Sequence, residues 1–313
     1  MNGCYPRTLS GVRKKLFFLT ATVLTVFAIA MWSRSTLPER SCFVPVKWTV
    51  ADTPAIEVSV DGQKCLLQLC TAEKFFLTLD EAGLGLIADK AKKGLSQWYD
   101  VKGVGHESAV YKTQNFLIEH LVFSNIEAIF TPEKDEKATS ILWSSPNCNA
   151  DLFPKTCGSI GRPLLLKTNL YLDLGHDIII LASSKEALKR HGIFVDTMKK
   201  FALEPEERGV IVKVDTEVGP LRLAINTGST ISIVRSSSLQ PWSNNTGAMW
   251  KDYRGFSYFR TDLSIGGSKI GRQDICLTEV TEGISWLDGW LGADFLCNHR
   301  VYIDFPNKIV YIS

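Results

Sequence analysis

LRLAINTGSTISIV, residues 221–234, reads as a strand, a tight turn and a second strand. Leu221, Leu223 and Ile225 alternate with Arg222 and Ala224, the period-2 pattern of a half-buried strand. Asn226-Thr227-Gly228-Ser229 then interrupts the apolar pattern, and Gly228 admits a backbone turn that a side chain would resist. The pattern resumes at Ile231, Ile233 and Val234.

The same layout occurs earlier in the chain. Ile56–Val60 and Cys65–Leu69 alternate around Asp61-Gly62, a strong hairpin signal. The second run leads into Cys70-Thr71-Ala72-Glu73, followed by Phe75, Phe76, Leu77 and Leu79. If the turns are equivalent, Cys70 stands in the place of Asn226, and Ala72 in that of Gly228. Downstream of each turn a longer repeat appears. Gly158–Leu181 aligns without a gap on Gly289–Ile312 at a constant offset of 131 residues. Gly158/Gly289, Gly161/Gly292, Leu165/Leu296, Tyr171/Tyr302, Asp173/Asp304 and Ile178/Ile309 coincide in residue type. Asp173-Leu174-Gly175-His176 and Asp304-Phe305-Pro306-Asn307 supply turns at matching places. An internal duplication fixes the architecture ahead of any local motif.

The apolar strand that delivers Asn226-Thr227-Gly228-Ser229 resembles the active-site turn of pepsin-like and retropepsin-like aspartic proteases, where the sequence is Asp-Thr-Gly-Ser/Ala. Trp290-Leu291-Gly292-Ala293-Asp294-Phe295-Leu296 closely resembles the family's second signature, and Ser159-Ile160-Gly161-Arg162-Pro163-Leu164-Leu165 does so loosely. The resemblance covers roughly residues 48–181 and 209–313. It implies a mostly β, bilobal protein of two pseudo-symmetric barrel lobes. It also implies a cleft lined by Thr71, Ala72, Thr227, Gly228 and Ser229, with Gly103 and Gly105 in a Gly-rich flap hairpin that continues through Ala109–Phe116. Tyr253–Phe259 is the corresponding flap of the second lobe, and Asp294 carries the structural role of its motif.

In that family two aspartates face each other and share one proton, one activating water while the other donates to the substrate carbonyl. Here the two positions are Cys70 and Asn226. An amide takes no proton from water, and a thiol with a reference pKa near ~8.5 has no oxygen pair to orient one. Both halves of the dyad are therefore expected to be degenerate. A nucleophilic Cys70 would need a general base within hydrogen-bond reach, and His106 near the flap is the candidate. Glu73 and Asp294 are the nearest other carboxylates in sequence.

The net charge of +2 and the lack of a basic stripe interleaved with aromatics argue against nucleic acid. The five histidines are scattered and the eight cysteines lack C-x-x-C pairing, so neither a metal nor a cofactor is expected. Cys148 and Cys157 bracket a loop and would be either disulfide-linked, in an extracytoplasmic compartment, or two free thiols. Asn244-Asn245-Thr246 matches a glycosylation sequon.

Leu16–Trp32 is uninterrupted by charge and follows Arg13-Lys14-Lys15. Its length suits a single-pass anchor, and the basic excess before it places the N-terminus in the cytoplasm and the bulk outside. The alternative is a signal cleaved near Ala30, within Ala28-Ile29-Ala30, and secretion. The expected layout is a basic N-terminus over 1–15, the anchor or signal over 16–32 and a tether over 33–47. A first lobe then spans 48–182, a linker 183–208 and a second lobe 209–313. Ser183-x-x-Glu186 is a possible capping box in the linker. The functional expectation is a membrane-tethered pseudoprotease whose interlobe cleft binds an extended peptide or partner protein. An active peptidase, aspartic-type or Cys70-dependent, is the alternative, and a purely structural envelope protein with a closed cleft is a third reading.

Overall fold

The computed structural model describes residues 40–99, 104–132, 153–204, 209–242, 249–252, 255–278 and 287–313. The first half runs β1 (Ser41–Pro45), β2 (Lys47–Trp48), β3 (Pro54–Val60), β4 (Gln63–Cys70), β5 (Leu77–Leu79) and the short α1 (Glu81–Gly85). It continues with β6 (Gly94–Tyr99), β7 (Gly105–Ile118), β8 (Leu121–Phe130), β9 (Gly158–Gly161), α2 (Arg162–Leu165), β10 (Asn169–Asp173) and β11 (Ile178–Ala182). After α3 (Lys185–Leu188) and β12 (Lys199–Ala202), the second half follows with β13 (Ile211–Thr216), β14 (Gly219–Ile225), β15 (Ile233–Arg235) and β16 (Trp250–Lys251). It ends with β17 (Ser257–Ile265), β18 (Ser268–Thr278), β19 (Gly289–Leu291), α4 (Ala293–Leu296), β20 (Val301–Asp304) and β21 (Ile309–Ile312).

The Asp61-Gly62 signal becomes the turn between β3 and β4, with Val60 opposite Gln63. Asp61 and Gly62 both take positive φ, 46° and 89°, as a type I′ turn demands. The Asp61 carboxylate also accepts hydrogen bonds from the Thr113 hydroxyl and from the backbone N–H groups of Ala88, Gln114 and Asn115, which pins the hairpin to β7.

The duplication in sequence is a duplication in topology. One sheet has the order β2-β3-β4-β9-β5-β8-β7-β6 and closes through β3–β7; another has the order β13-β14-β19-β15-β18-β17-β16 and closes through β13–β17. The strand directions match as well: β4–β9 and β14–β19 are parallel, β5–β9 and β15–β19 antiparallel, β5–β8 and β15–β18 parallel. A third sheet, β1-β11-β10-β20-β21-β12, takes strands from both halves. Within it Tyr171 pairs with Tyr302, so one position of the repeat meets its own copy. This register makes the two lobes related by a local two-fold axis.

The repeated glycines are explained by close approach. A Cβ on Gly158 would sit 1.9 Å from the Thr78 carbonyl oxygen, and one on Gly289 would sit 1.9 Å from that of Ile233. At Gly161 it would meet Phe75 O at 2.0 Å, and at Gly292 the Ile231 carbonyl at 2.4 Å. Each lobe thus needs two bare backbones where β9 or β19 passes the strand beyond the turn. The inner faces are apolar: Ile56, Leu67, Leu69, Leu77, Ile160, Leu223, Ile225, Leu291 and Phe295 are fully buried. Each such side chain contributes on the order of 1.5–3 kcal/mol by leaving water.

Three expectations change. Part of the 33–47 tether, Ser41–Pro45, is an ordered edge strand paired with β11. Its Cys42 and Val44 face the core, and Pro45 is tolerated because an edge strand can spare an N–H. The 183–208 linker is likewise built in: β12 pairs with β21, and Ala187, Leu188 and Val195 bury against Tyr171, Tyr302 and Tyr311. The helix cap falls one residue later than expected. Ser184, not Ser183, accepts from Ala187 N, while Ser183 Oγ accepts from Arg40 N. No helix among the described residues is long and apolar enough to cross a membrane. The 1–15 and 16–32 segments, Gly103, Cys148 and the Asn244 sequon lie outside the described residues.

Candidate functional site

The two turns meet where β4 and β14 end. Thr71 and Thr227 are fully buried and bonded crosswise. Thr71 Oγ1 donates to Ile225 O at 2.6 Å, and Thr227 Oγ1 donates to Leu69 O at 2.7 Å. In return Thr71 N donates to Thr227 Oγ1, and Thr227 N to Thr71 Oγ1, both at 3.1 Å. Four buried bonds therefore tie the lobes through two hydroxyls, each acting as donor and acceptor. The symmetry extends outward. Glu73 N donates to Cys70 O and Ser229 N to Asn226 O, closing each turn. Glu73 O accepts from Arg162 N, and Ser229 O from Ala293 N, docking each turn on the helix of its own lobe.

At the head of this network Cys70 Sγ lies 3.7 Å from Asn226 Oδ1. Asn226 Oδ1 also accepts from Gly228 N at 2.9 Å. Gly228 does not need a left-handed backbone; it needs to be small. A Cβ there would come within 2.5 Å of Cys70 Sγ and 3.2 Å of Asn226 Oδ1. The matching residue of the other turn is Ala72, which is half-buried. Ser229 Oγ donates to Ile231 O and accepts from Trp290 Nε1, so it is occupied in holding the second turn.

The environment keeps the thiol protonated. Burial pushes Cys70 up to about 12, with the nearby Glu73 charge adding to the effect. The backbone N–H groups of Ala72, Glu73 and Gly228 oppose it without reversing it. Facing this thiol is an amide that does not titrate. The pair as it stands offers neither a carboxylate nor a thiolate at neutral pH. His106, the base expected for Cys70, is stacked on Trp98 at 4.4 Å in the β6–β7 hairpin. Gly105 opens β7 opposite Tyr99 and is exposed, and β7 pairs antiparallel with β6 from there to Val110 opposite Gly94.

One charged group at the site was not anticipated. Arg162, directly after Gly161, is buried with its charge close to Glu73 and Cys70; burial lowers its pKa while Glu73 works against that shift. The corresponding residues of the second lobe are Ala293 and Ser229, so this charge pair makes the two sides unequal. The signal available was the Gly161-Arg162 juxtaposition, since an arginine after a buried glycine must find a partner. Asp294 fills the expected structural position. It accepts from Ser232 Oγ, Gln273 Nε2 and its neighbour Phe295 N, all at 2.8 Å, and burial raises its pKa despite them. Among the described residues no group of three or more His, Cys, Asp or Glu side chains is arranged to hold a metal.

No protein-family model matches this chain, and no curated protein sequence does either. Among solved structures it is similar to the aspartic proteinase from Irpex lacteus, with a TM-score of 0.56 and 12% sequence identity over 88% of this chain and 97% of that one. At that identity the likeness concerns the fold alone: a mostly β protein of two barrel lobes, arranged as in pepsin-like aspartic proteinases.

Proposed function

We propose that this protein is a membrane-tethered, catalytically degenerate relative of the aspartic proteases that holds an extended peptide or a segment of a partner protein between its lobes without cutting it. The observation that carries this reading is the pair at the lobe junction. The crossed threonine bonds are complete, yet the two side chains they present to each other are a half-buried thiol and an amide. Hydrolysis by the two-aspartate route requires one group to take a proton from water and another to give one to the carbonyl, and neither side chain does so. An extended segment needs only backbone pairing with exposed strand edges and pockets for alternate side chains. The two hairpins, β6–β7 and β16–β17, supply edges in both lobes. In this reading residues 16–32 anchor the chain, residues 1–15 remain cytoplasmic and the lobes face outward.

The test is incubation of the full-length chain with a peptide library from about pH 3 to pH 8, alongside Cys70→Ala, with products and retained peptides both identified by mass spectrometry. The expected result is retention without cleavage. Cleavage abolished by Cys70→Ala would make Cys70 a nucleophile and overturn the proposal. Cleavage that survives the substitution would require a different carboxylate pair and overturn it equally.

A further inference from the structure

Cys65 and Cys157 are far apart in sequence and adjacent in the fold. Cys65 lies on β4, five residues before Cys70. Cys157 immediately precedes β9 and donates its backbone N–H to Leu66 O at 2.9 Å, so its main chain is bonded to the residue next to Cys65. Both are free thiols in this structure, and each acts on the other's titration. Cys157 is held firmly in place: its carbonyl accepts from Asp80 N at 3.2 Å, and a Cβ on Gly83 would come within 2.3 Å of that oxygen. The other described cysteines are occupied differently. Cys42 Sγ points at the carbonyls of Phe43 and Ile118, Cys70 faces Asn226, buried Cys276 points its Sγ at Leu277 O, and Cys297 is exposed.

We propose that Cys65 and Cys157 form a disulfide that fastens the strand leading to Cys70 to the segment that opens β9. The bond from Cys157 N to the residue after Cys65 brings the two main chains to about the separation that a disulfide spans. The partner of Cys157 is then Cys65, not the Cys148 suggested by sequence proximity. The oxidant is a disulfide donor, either a small molecule such as oxidised glutathione or a protein disulfide oxidoreductase. One cysteine releases its proton to solvent and its thiolate attacks a donor sulfur, expelling one donor thiol and leaving a mixed disulfide. The second cysteine, deprotonated in turn, attacks the protein sulfur of that mixed disulfide and expels the other donor thiol. Two protein thiols and one donor disulfide become one protein disulfide and two donor thiols, with two electrons passing to the donor. Burial and the Asp80 charge disfavour the thiolate at both positions, so the exchange is slow at neutral pH without a catalyst.

The experiment equilibrates the full-length chain with oxidised glutathione, blocks remaining thiols, digests without reduction and maps linked peptides by mass spectrometry. The expected product joins the Cys65 and Cys157 peptides and is unaffected by Cys148→Ser. Reduction should lower the Tm by roughly 5–10 °C, and this difference should vanish in Cys157→Ser. Peptide mapping on the unaltered chain keeps the test valid even where a variant folds poorly. A Cys148–Cys157 link overturns the proposal. So does a chain, folded by circular dichroism, in which Cys65 and Cys157 both remain free after equilibration.

Discussion

Replacing Cys70 and Asn226 together by aspartate tests whether the lobe junction still positions two groups as an acid–base pair. Cys70 Sγ and Asn226 Oδ1 are 3.7 Å apart. Two carboxylates at that spacing, with an effective dielectric constant of ~20, would repel by about 4 kcal/mol when both ionise. That corresponds to roughly 3 pKa units on the second ionisation. The backbone N–H groups that now reach Cys70 and Asn226 favour the first ionisation. The pair should therefore hold a single proton over roughly pH 3 to pH 6. Two readouts follow. Peptide cleavage should appear with a bell-shaped pH profile in that window, where the parent chain shows none. The second carboxylate, with a folded pKa raised above its unfolded value, gives stability that is complete below that unfolded value and is lost as pH rises through the folded one. The Tm of the double variant should accordingly fall, relative to the parent, between about pH 4 and pH 7. A folded double variant with neither cleavage nor a pH-dependent Tm difference would refute the claim that these positions face one another productively.

Thr71→Val keeps the shape of the side chain but strands Ile225 O and Thr227 N without partners; unfolding in urea should show a loss of about 2–4 kcal/mol. Gly161→Ala should abolish the folded state or cost more than about 4 kcal/mol, since its Cβ would sit 2.0 Å from a backbone oxygen that cannot move independently; near-parental stability would contradict the packing described here. The Asp61 carboxyl is disfavoured as an anion by burial, but its bonds from Asn115, Ala88, Thr113 and Gln114 outweigh this and hold its pKa below the usual range. Its contribution is present above the unfolded value of ~3.9 and lost as pH falls through the lower folded value. Asp61→Asn, which tolerates the positive φ, should cost about 1–3 kcal/mol at pH 7, and the difference should shrink in acid.

The parts legible in sequence were those with a local or repeated signature. Asp61-Gly62 specifies its hairpin through backbone conformation alone, and the 131-residue offset by itself singles out Gly158, Gly161, Gly289 and Gly292. The parts that were hidden depend on partners distant in the chain. Lys199–Ala202 has one buried side chain, Phe201, and too little alternation to announce a strand; β21 makes it one by offering a free edge. Ser41–Pro45 does carry the alternation, but Pro45 outweighs it when no edge position is known. The Glu73–Arg162 charges and the Cys65–Cys157 contact arise from strands brought together by the fold, and nothing near either residue in sequence points to its partner.

The turn assigns structure and chemistry to different atoms. The threonine hydroxyls and the bare Gly228 hold the lobes together: each Thr Oγ1 serves a carbonyl and an N–H of the opposite lobe, and Gly228 leaves the room that Cys70 Sγ occupies. The side chains at 70 and 226 carry little of that burden. Asn226 Oδ1 serves a backbone N–H within its own turn, and the 3.7 Å contact between thiol and amide is a weak bond. Exchanging those two side chains is therefore inexpensive for the fold, whereas exchanging Thr71 or Thr227 is not. It follows that an intact two-lobed scaffold carries no information about hydrolysis. In the function proposed above, that question rests on the two atoms facing each other across the junction, here a sulfur and an amide oxygen.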